Sequence, residues 1–528
     1  MAVPTYTSDL SSGIITNVET NTGTWSEFTA YSVGGTPVTN ETDYFIQGAN
    51  CTSATASKTG LASIAFDNAT GVTIPTDGAV FVWQYFAAPN VLAAETAGGL
   101  RIIVGADISN ANAWVVGGND FAPNPYGGWN NVAVNPAGVT ADYTHSNGNG
   151  GTYRWFGSGL SVGPGSVGKG NPHGIDAIRY GRGESRFANG SVGEGAATFA
   201  GFAATNDSIS NRWGLMQAIA GGYKVKGLVV FGYVSAVYFV DSNANLFIDN
   251  TKKVTAGFNA FEVRQAGSTV SLTAVNITAL GTVSRGNWIT TDNATVTLTS
   301  CVFTDMGTFT FQSLTTVTLC TFRRCNLVTR GNATITNTTF DKTNNATKAL
   351  LLRDPTRALT GCTFIKPTAT SHAIEITEAS ATAYTFTNCN FTGYAATNGS
   401  TGNEVIYNNS GGAVTINHTG TTGGDITVKN EGVSTTTVLG SISITITVKD
   451  EANANINGAF VYIDENDNSP FIMNTTTSSG VATGSYSGAS SSGTLRVRKY
   501  GYKPFKGTVD LTSAINQGIV LIADPQQV

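Results

Sequence analysis

The feature that most restricts the fold of this chain is an internal repeat between residues 271 and 391. Six segments share one pattern, SLTAVNI, TLTSCVF, TVTLCTF, TITNTTF, ALTGCTF and TFTNCNF. Each ends on a large apolar residue, with another apolar residue five positions earlier and a small residue two positions earlier. The end residues follow at intervals of 26, 19, 18, 24 and 27 residues: Ile277, Phe303, Phe322, Phe340, Phe364 and Phe391. Because one such unit cannot bury its own apolar side, neighbouring units must stack into a solenoid.

The repeat predicts a short strand that bends, with the end residue inside each coil and the aromatic rings stacked in an internal ladder. This pattern resembles right-handed parallel β-helix proteins, the scaffold of pectate-lyase-like enzymes and of many phage tailspikes and fibres. The resemblance covers roughly 240–430. We assign residues 236–435 to a short parallel β-helix.

Four of the six cysteines support this register, because Cys301, Cys320, Cys362 and Cys389 occupy the small position of their coils. A buried free thiol packs as a small apolar group, so stacked core thiols are the simplest interpretation. A disulfide between Cys320 and Cys325, or a metal site, stays open as an alternative. No C-x-x-C pair is present. We expect no cofactor.

The region before the repeat predicts a polar arm over 1–20 and a β-sandwich over 21–235. Alternating apolar runs such as AVFVWQYF (79–86) and LRIIVGAD (100–107) are separated by long Gly/Asn/Pro loops, a pattern typical of strands. The segment WVVGGNDFAPNPYGGWNNVAV resembles the strand, loop and Trp-bearing strand of concanavalin-like lectins. That resemblance implies a jelly-roll sandwich.

The region after the repeat, 440–528, restarts a β pattern with ISITITVKD. It resembles the carboxypeptidase-regulatory or transthyretin-like Ig-type sandwich. The residues that match that family are Val448, Asp450, Gly458, Ala459, Val461, Gly480, Lys499, Gly501 and Tyr502. The expected fold class is therefore all-β: a lectin-like sandwich, a short right-handed parallel β-helix and an Ig-like sandwich.

Charge and hydropathy exclude several functional classes. With 29 basic and 34 acidic residues and no basic run, nucleic acid is not an expected partner. No apolar stretch reaches the roughly 18 residues of a membrane span. The N-terminus lacks the basic and apolar blocks of a secretion signal, so we expect the product to stay in the cell that makes it.

Two segments are compared with ion- and phosphate-binding motifs. Residues 163–169, GPGSVGK, contain G-x-G-x-x-G, but no helix can follow in GNPHG, so a loop is favoured. Two segments that begin with an aspartate resemble the start of a calcium-binding loop, but other residues stand where such a loop has its glycine and its closing glutamate. We interpret both as turns and keep their oxygen-bearing residues as candidate cation ligands: Asp241, Asn243 and Asn245, and Asp464, Asn466 and Asn468.

Two groups of side chains are candidates for catalysis. His173, Asp176, Arg179, Arg182 and Glu184 form the densest cluster of functional groups. Because no nucleophile elbow accompanies them, we interpret the cluster as a salt-bridged, hydrogen-bonded loop that rigidifies the sandwich or its subunit contact.

Within the solenoid, glycosidase chemistry needs two carboxylates about 5–9.5 Å apart. Asp305 stands two positions after its end residue and Asp341 one position after its own. These offsets predict that the two carboxylates lie on the same edge of the solenoid, two coils apart. They are the candidate catalytic pair, although we do not expect an enzyme.

The resemblances together imply a non-enzymatic protein on the outside of a bacteriophage particle, assembled in the host cytoplasm and released by lysis. A head decoration or cement protein bound to the major capsid protein is the first expectation. A tail fibre or tailspike that binds host glycans is the second, and a polysaccharide depolymerase the third. The β-helix resemblance also implies a homotrimer.

Overall fold

The structure is a computed structural model, and almost all of its regular elements are strands. In the part of the chain that it describes, no helix is long and apolar enough to cross a membrane. The described residues are 14–16, 24–26, 28, 38–43, 45–46, 48–55, 60–76, 78–86, 100–116, 128–144, 152–162, 172–181, 183–187, 199–200, 203, 207–208, 211–212, 215–232, 237–239, 242–249, 259–281, 286–394, 398–399, 402–423, 426–440, 442–465, 470–486, 492–511 and 514–526.

The chain divides into two compact units, Met1–Leu351 with Ile365–Ser371 and Leu352–Phe364 with His372–Val528. The first contains the N-terminal sandwich and the earlier coils of the solenoid. The second contains the later coils and the C-terminal sandwich. The division therefore falls inside the repeat region, which the sequence pattern treats as one element.

The N-terminal part is a sandwich of two antiparallel sheets. Its first sheet has the strand order Val38–Glu41, Cys51–Thr55, Pro172–Gly181, Ala79–Phe86 and Gly128–Val134, with Ile14–Thr16 also paired to Pro172–Gly181. The second has the order Trp25–Ser26, Gly60–Thr73, Thr152–Val162, Leu100–Gly105 and Ala111–Val116. Alternate residues of facing strands, such as Val82, Ile102 and Phe156, fill the core between the sheets, as the period of two predicts.

The repeat region forms three parallel sheets, which is the architecture of a parallel β-helix. Sheet A consists of Glu184–Phe187, Leu228–Phe231, Asn259–Val263, Asn287–Thr290, Phe309–Thr310, Val328–Thr329, Leu350–Leu352, Ile374–Ile376, Ile406–Asn408 and Val428–Asn430. Sheet B consists of Met216–Ile219, Gly222–Val225, Asn245–Ile248, Asn276–Ala279, Val302–Thr304, Thr321–Arg323, Thr339–Asp341, Thr363–Ile365 and Asn390–Thr392, of which the first two pair antiparallel. Sheet C consists of Val237–Phe239, Thr269–Thr273, Thr295–Thr299, Thr315–Thr318, Thr334–Thr336, Leu359–Thr360, Tyr384–Thr387, Ala413–Thr419 and Thr435–Gly440. Parallel pairing begins with Glu184–Phe187 against Leu228–Phe231, ahead of position 236.

A single left-handed residue makes the bend between sheet C and sheet B in each repeated segment. Its φ lies between 49° and 66° in all six segments. It stands immediately before the small residue of the repeat, so the chain turns there while the small side chain enters the coil. The residues at this position are Ala274, Ser300, Leu319, Asn337, Gly361 and Asn388.

The coil interior is filled by the stacked rings that the repeat predicts. In the first unit the rings of Phe303 and Phe322 lie 5.0 Å apart at 17°, and those of Phe322 and Phe340 lie 5.3 Å apart at 8°. In the second unit Phe364 and Phe391 stack at 5.1 Å and 14°. All five side chains are buried, which confirms the aromatic ladder within each unit.

The six cysteines are all free and buried. Cys301 and Cys320, in the small position, place Sγ near a carbonyl oxygen of the preceding coil: the distance is 3.5 Å from Cys301 to Leu272 and 3.4 Å from Cys320 to Leu298. Cys325 instead points at the carbonyl of Phe303. The structure contains no Cys320–Cys325 disulfide.

The C-terminal part is a second sandwich. One sheet has the order Val481–Tyr486, Ile442–Asp450 and Ile515–Leu521, and the other has Pro470–Thr475, Phe460–Glu465, Ser492–Arg498 and Phe505–Asp510. The first two strands of the three-stranded sheet pair antiparallel, while Ile442–Asp450 and Ile515–Leu521 pair parallel. Val448, Val461 and Leu495 are among the residues that form the core between the sheets.

Candidate functional site

The two acidic residues predicted to share an edge of the solenoid do so. Asp305 follows the strand Val302–Thr304, and Asp341 ends the strand Thr339–Asp341 two coils later. The intervening coil carries Arg323 and Arg324. Arg323 pairs in register with Asp341, and the amide of Asp305 donates to the carbonyl of Arg323. The edge is therefore acid, arginine, acid from coil to coil.

Each of these carboxylates is held by an arginine side chain. Arg324 binds Asp305 through two parallel hydrogen bonds of 2.7 Å, and this contact raises the pKa of the guanidinium. Arg323 Nε lies 3.5 Å from Asp341 Oδ2, while Asp341 Oδ1 accepts hydrogen bonds from the amide and hydroxyl of Thr343. Bidentate guanidinium–carboxylate pairs fix orientation as well as charge. The arrangement is chemically that of an ion-pair ladder.

A buried amine beside this edge was not predicted from the sequence. The Nζ of Lys342 donates to the carbonyl oxygen of Cys325 and to the hydroxyl of Thr347 at 2.7 Å. Burial lowers the pKa of Lys342 to about 8. Asn345 also donates to the carbonyl of Cys325, at 3.0 Å. Lys342 stands two positions after its end residue, as Asp305 does, so register comparison could have found it.

Two of the candidate cation ligands that the structure describes, Asn245 and Asp464, form hydrogen bonds with protein groups. Asn245 donates to the carbonyl of Gly221, and its own Oδ1 accepts from Asn276 at 3.0 Å. Asn243 has a φ of 60° in a turn. Asp464 Oδ2 accepts from Arg496 Nε at 3.0 Å.

The remaining candidates, Asp241, Asn466 and Asn468, lie outside the described residues, as does the segment 163–169. In the rest of the chain no group of three or more His, Cys, Asp or Glu side chains has the proximity to hold a metal ion.

The cluster around His173 lies on a central strand of the N-terminal sandwich, not in a loop. His173, Asp176 and Arg179 all belong to Pro172–Gly181 and are fully buried. Asp176 accepts a hydrogen bond from the amide of Ile46 at 2.9 Å, and Arg179 donates to the carbonyl of Thr16 at 2.8 Å. Burial lowers the pKa of His173 to about 4. These contacts fix flanking segments to the sheet, which supports the structural interpretation of the cluster.

For the other two residues of that predicted cluster, Arg182 and Glu184, the structure describes no side-chain contact. Arg182 lies outside the described residues, and Glu184 is described only through its backbone, as the first residue of the strand Glu184–Phe187.

Sheet A carries a row of ionisable groups that was not predicted from the sequence, because the end residues of the repeat lie in sheet B. Glu375 pairs in register with Tyr407, and Tyr407 pairs with Lys429. The ring of His372 stacks on Tyr407 at 5.1 Å, and His372 Nδ1 lies 3.6 Å from Glu404 Oε2. On adjacent strands the row thus presents a carboxylate, a phenol and an ammonium group, which avoids the like-charge pairs that destabilise a sheet. Glu375, Tyr407 and Lys429 each follow an apolar residue of their strand, and that register is the signal in the sequence.

The four-stranded sheet of the C-terminal sandwich presents an aromatic and basic surface on its outer side. We call six residues on the outer side of this sheet the Tyr462 face: Phe460, Tyr462, Asp464, Arg496, Arg498 and Lys506. In-register pairing joins Phe460 to Arg498 and Tyr462 to Arg496, and Arg496 to Lys506. The intervening residues of the same strands point into the core: Val461, Ile463, Leu495 and Val497.

The chain was compared with protein families, curated proteins and solved structures. No family model matches it, and no curated protein matches it. A solved structure, the Bacillus anthracis TIE protein, is 17% identical over 19% of this chain and 19% of its own length, with a TM-score of 0.14.

Proposed function

We propose that the chain is a structural protein on the exterior of a bacteriophage particle, and that it decorates the head. The observation that carries this proposal is how the solenoid uses its side chains. Its interior is filled by stacked rings such as those of Phe322 and Phe340, and the acidic edge at Asp305 and Asp341 is bound by arginines. Both features stabilise a projecting scaffold.

The cysteines support assembly inside a cell. Six buried thiols remain free, as expected for a protein that folds where thiols are kept reduced. A particle assembled in the host cytoplasm and released by lysis accounts for an exterior protein with free thiols.

Co-sedimentation with purified phage heads that lack tails tests the head assignment. Incubated with such heads, the chain is expected to sediment with them through binding to the major capsid protein, whereas the chain alone stays in the supernatant. Binding to isolated tails and not to heads would instead support the second candidate, a tail fibre or tailspike. The exposed ring of Phe460 and the guanidinium groups of the Tyr462 face favour that second candidate.

A depolymerase assay tests the enzymatic alternative. We expect no release of reducing ends from host polysaccharide by the wild-type chain, by Asp305→Asn or by Asp341→Asn. Asp354→Asn is the matched control, since Asp354 accepts the amide of Thr356 in an exposed turn and takes no part in the contacts between Asp305, Asp341 and their arginines. Wild-type activity that survives in Asp354→Asn and is lost in Asp305→Asn would contradict the structural proposal.

A further inference from the structure

The Tyr462 face combines exposed aromatic surface with cationic groups. Phe460 is 38% exposed, and its ring centroid lies 5.7 Å from that of Tyr462 at an interplanar angle of 52°. The guanidinium carbons of Arg498 and Arg496 lie 5.7 Å and 6.0 Å from the centroid of Tyr462. These distances lie in the range of cation–π contacts, which hold an arginine in place without neutralising it.

The charge of this region is opposite to that of the chain as a whole. The chain carries a formal net charge of −5, yet residues 496–506 hold five of its 29 basic residues and no acidic one. Arg496, Arg498 and Lys506 lie on the face, and Lys499 and Lys503 lie in the turn that joins its strands. Apolar and small residues separate most of these basic residues in the chain, which is why no long continuous basic run marks the sequence.

The acidic side chains described on this face are fewer than the basic ones. Asp464 is 6% exposed and accepts a hydrogen bond from Arg496 at 3.0 Å. The charges of these two residues therefore offset each other. Asp510 lies at the end of the face, opposite Ser492. The basic excess therefore concentrates around Arg498, next to the exposed ring of Phe460. Tyr500, which is 81% exposed, follows at the same end.

We propose that the Tyr462 face binds an acidic polysaccharide. Aromatic rings offer flat apolar surface to the C–H faces of sugar rings while their edges stay wet. Guanidinium groups bind carboxylate or sulfate oxygens with paired hydrogen bonds that an ammonium group cannot reproduce. A polymer of uronate or sulfated sugars presents both features at each repeat, so it is complementary to alternating rings and arginines in charge and in shape.

A single-stranded nucleic acid also combines anionic groups with stacking rings, but the face favours a sugar polymer. Binding of single strands uses ring faces open to successive bases. Here guanidinium groups occupy positions beside the ring of Tyr462. The exposed rings at this end are those of Phe460 and Tyr500, which is fewer than the row of rings on which successive bases of a single strand stack.

The test is a binding titration of the full-length chain with polygalacturonate, with dextran and a single-stranded DNA oligonucleotide as comparison polymers. We expect binding to polygalacturonate that weakens as salt rises and no binding to dextran. Arg498→Ala is expected to weaken binding about tenfold or more, since it removes a charge-assisted contact. Phe460→Ala is expected to weaken binding with a smaller change in salt dependence.

Lys449→Ala is the matched control. Lys449 belongs to the three-stranded sheet of the same sandwich and donates to Asn453, so the variant removes one positive charge away from the face. Equal affinity of Arg498→Ala and Lys449→Ala for polygalacturonate would overturn the proposal, as would binding to dextran or tighter binding to DNA. Phage-head sedimentation of Arg498→Ala, expected to be unchanged, separates failure of this proposal from failure of the head assignment.

Discussion

Leu319 is the residue of the repeat that fits its backbone least well. It has a φ of 57° at the left-handed bend, and its side chain is 57% exposed. A left-handed conformation costs a branched L-residue about 1–2 kcal/mol, whereas Asn and Gly adopt it more readily. The same bend uses Asn337 and Asn388 in other coils. The coil therefore tolerates a strained residue because its neighbours fix the turn.

We expect Leu319→Asn to stabilise the protein. The substitution relieves the backbone and removes little buried apolar surface, so the free energy of unfolding should rise by about 1 kcal/mol. Chemical denaturation measures it. Asn337→Leu, the reverse change at the equivalent bend, should lower stability, and a loss of stability in Leu319→Asn would show that its side chain has a packing role.

The aromatic ladder predicts a large cost for losing one ring. Phe340 is 1% exposed and stacks on Phe322. Phe340→Ala should therefore lower the free energy of unfolding by about 3–5 kcal/mol through the cavity that it leaves. Unchanged thermal stability of Phe340→Ala would mean that the ring does not belong to the core.

The buried, neutral His173 should make the free energy of unfolding fall at acidic pH. Burial lowers its pKa from 6.5 to about 4, so the unfolded chain binds more protons between these values. The contribution is complete above about pH 6.5 and is lost as pH falls toward 4. His173→Gln should show a shallower loss of stability over that window, measured by denaturation at a series of pH values. Identical pH profiles for the variant and the wild type would contradict burial of the neutral ring.

At the scale of elements, the place of the cysteines in the repeat determines that their thiols stay free rather than form disulfides. Cys301 and Cys320 occupy equivalent positions in successive coils, each directed at a carbonyl oxygen. Parallel strands place equivalent Cβ atoms about 4.8 Å apart, beyond the roughly 3.5–4.5 Å that a disulfide requires. Stacking therefore buries the thiols and leaves them free, because the strand spacing does not match disulfide geometry.

We expect the denatured, non-reduced protein to titrate close to six thiols, the full number in the sequence. A colorimetric thiol assay in guanidinium measures this, with a reduced sample as the control. Detection of three disulfides would contradict both the ladder and assembly in a reducing compartment.

At the scale of the whole molecule, the proposed virion role predicts a homotrimer. A parallel solenoid leaves strand edges at its ends, and cyclic association covers such edges with one repeated interface. Light scattering on recombinant protein should give three times the chain mass of 54.8 kDa. A monomer at micromolar concentration would mean that this chain does not trimerise by itself, contrary to the prediction.

The sequence by itself determined the three β-rich regions and the interior of the solenoid. Ring stacking depends on a short local pattern, and this pattern recurs at Phe303, Phe322 and Phe340. The same pattern also predicted that Asp305 and Asp341 share an edge, because they stand two and one positions after Phe303 and Phe340.

Only the tertiary structure decided what these groups contact. Arg323 and Arg324 bind the acids from the coil between them, and Pro172–Gly181 became a central strand rather than a loop. The Tyr462 face arises because Phe460–Glu465 pairs in register with Ser492–Arg498. Such pairings join residues far apart in the chain, and the backbone hydrogen bonds that fix them leave no local pattern in the sequence.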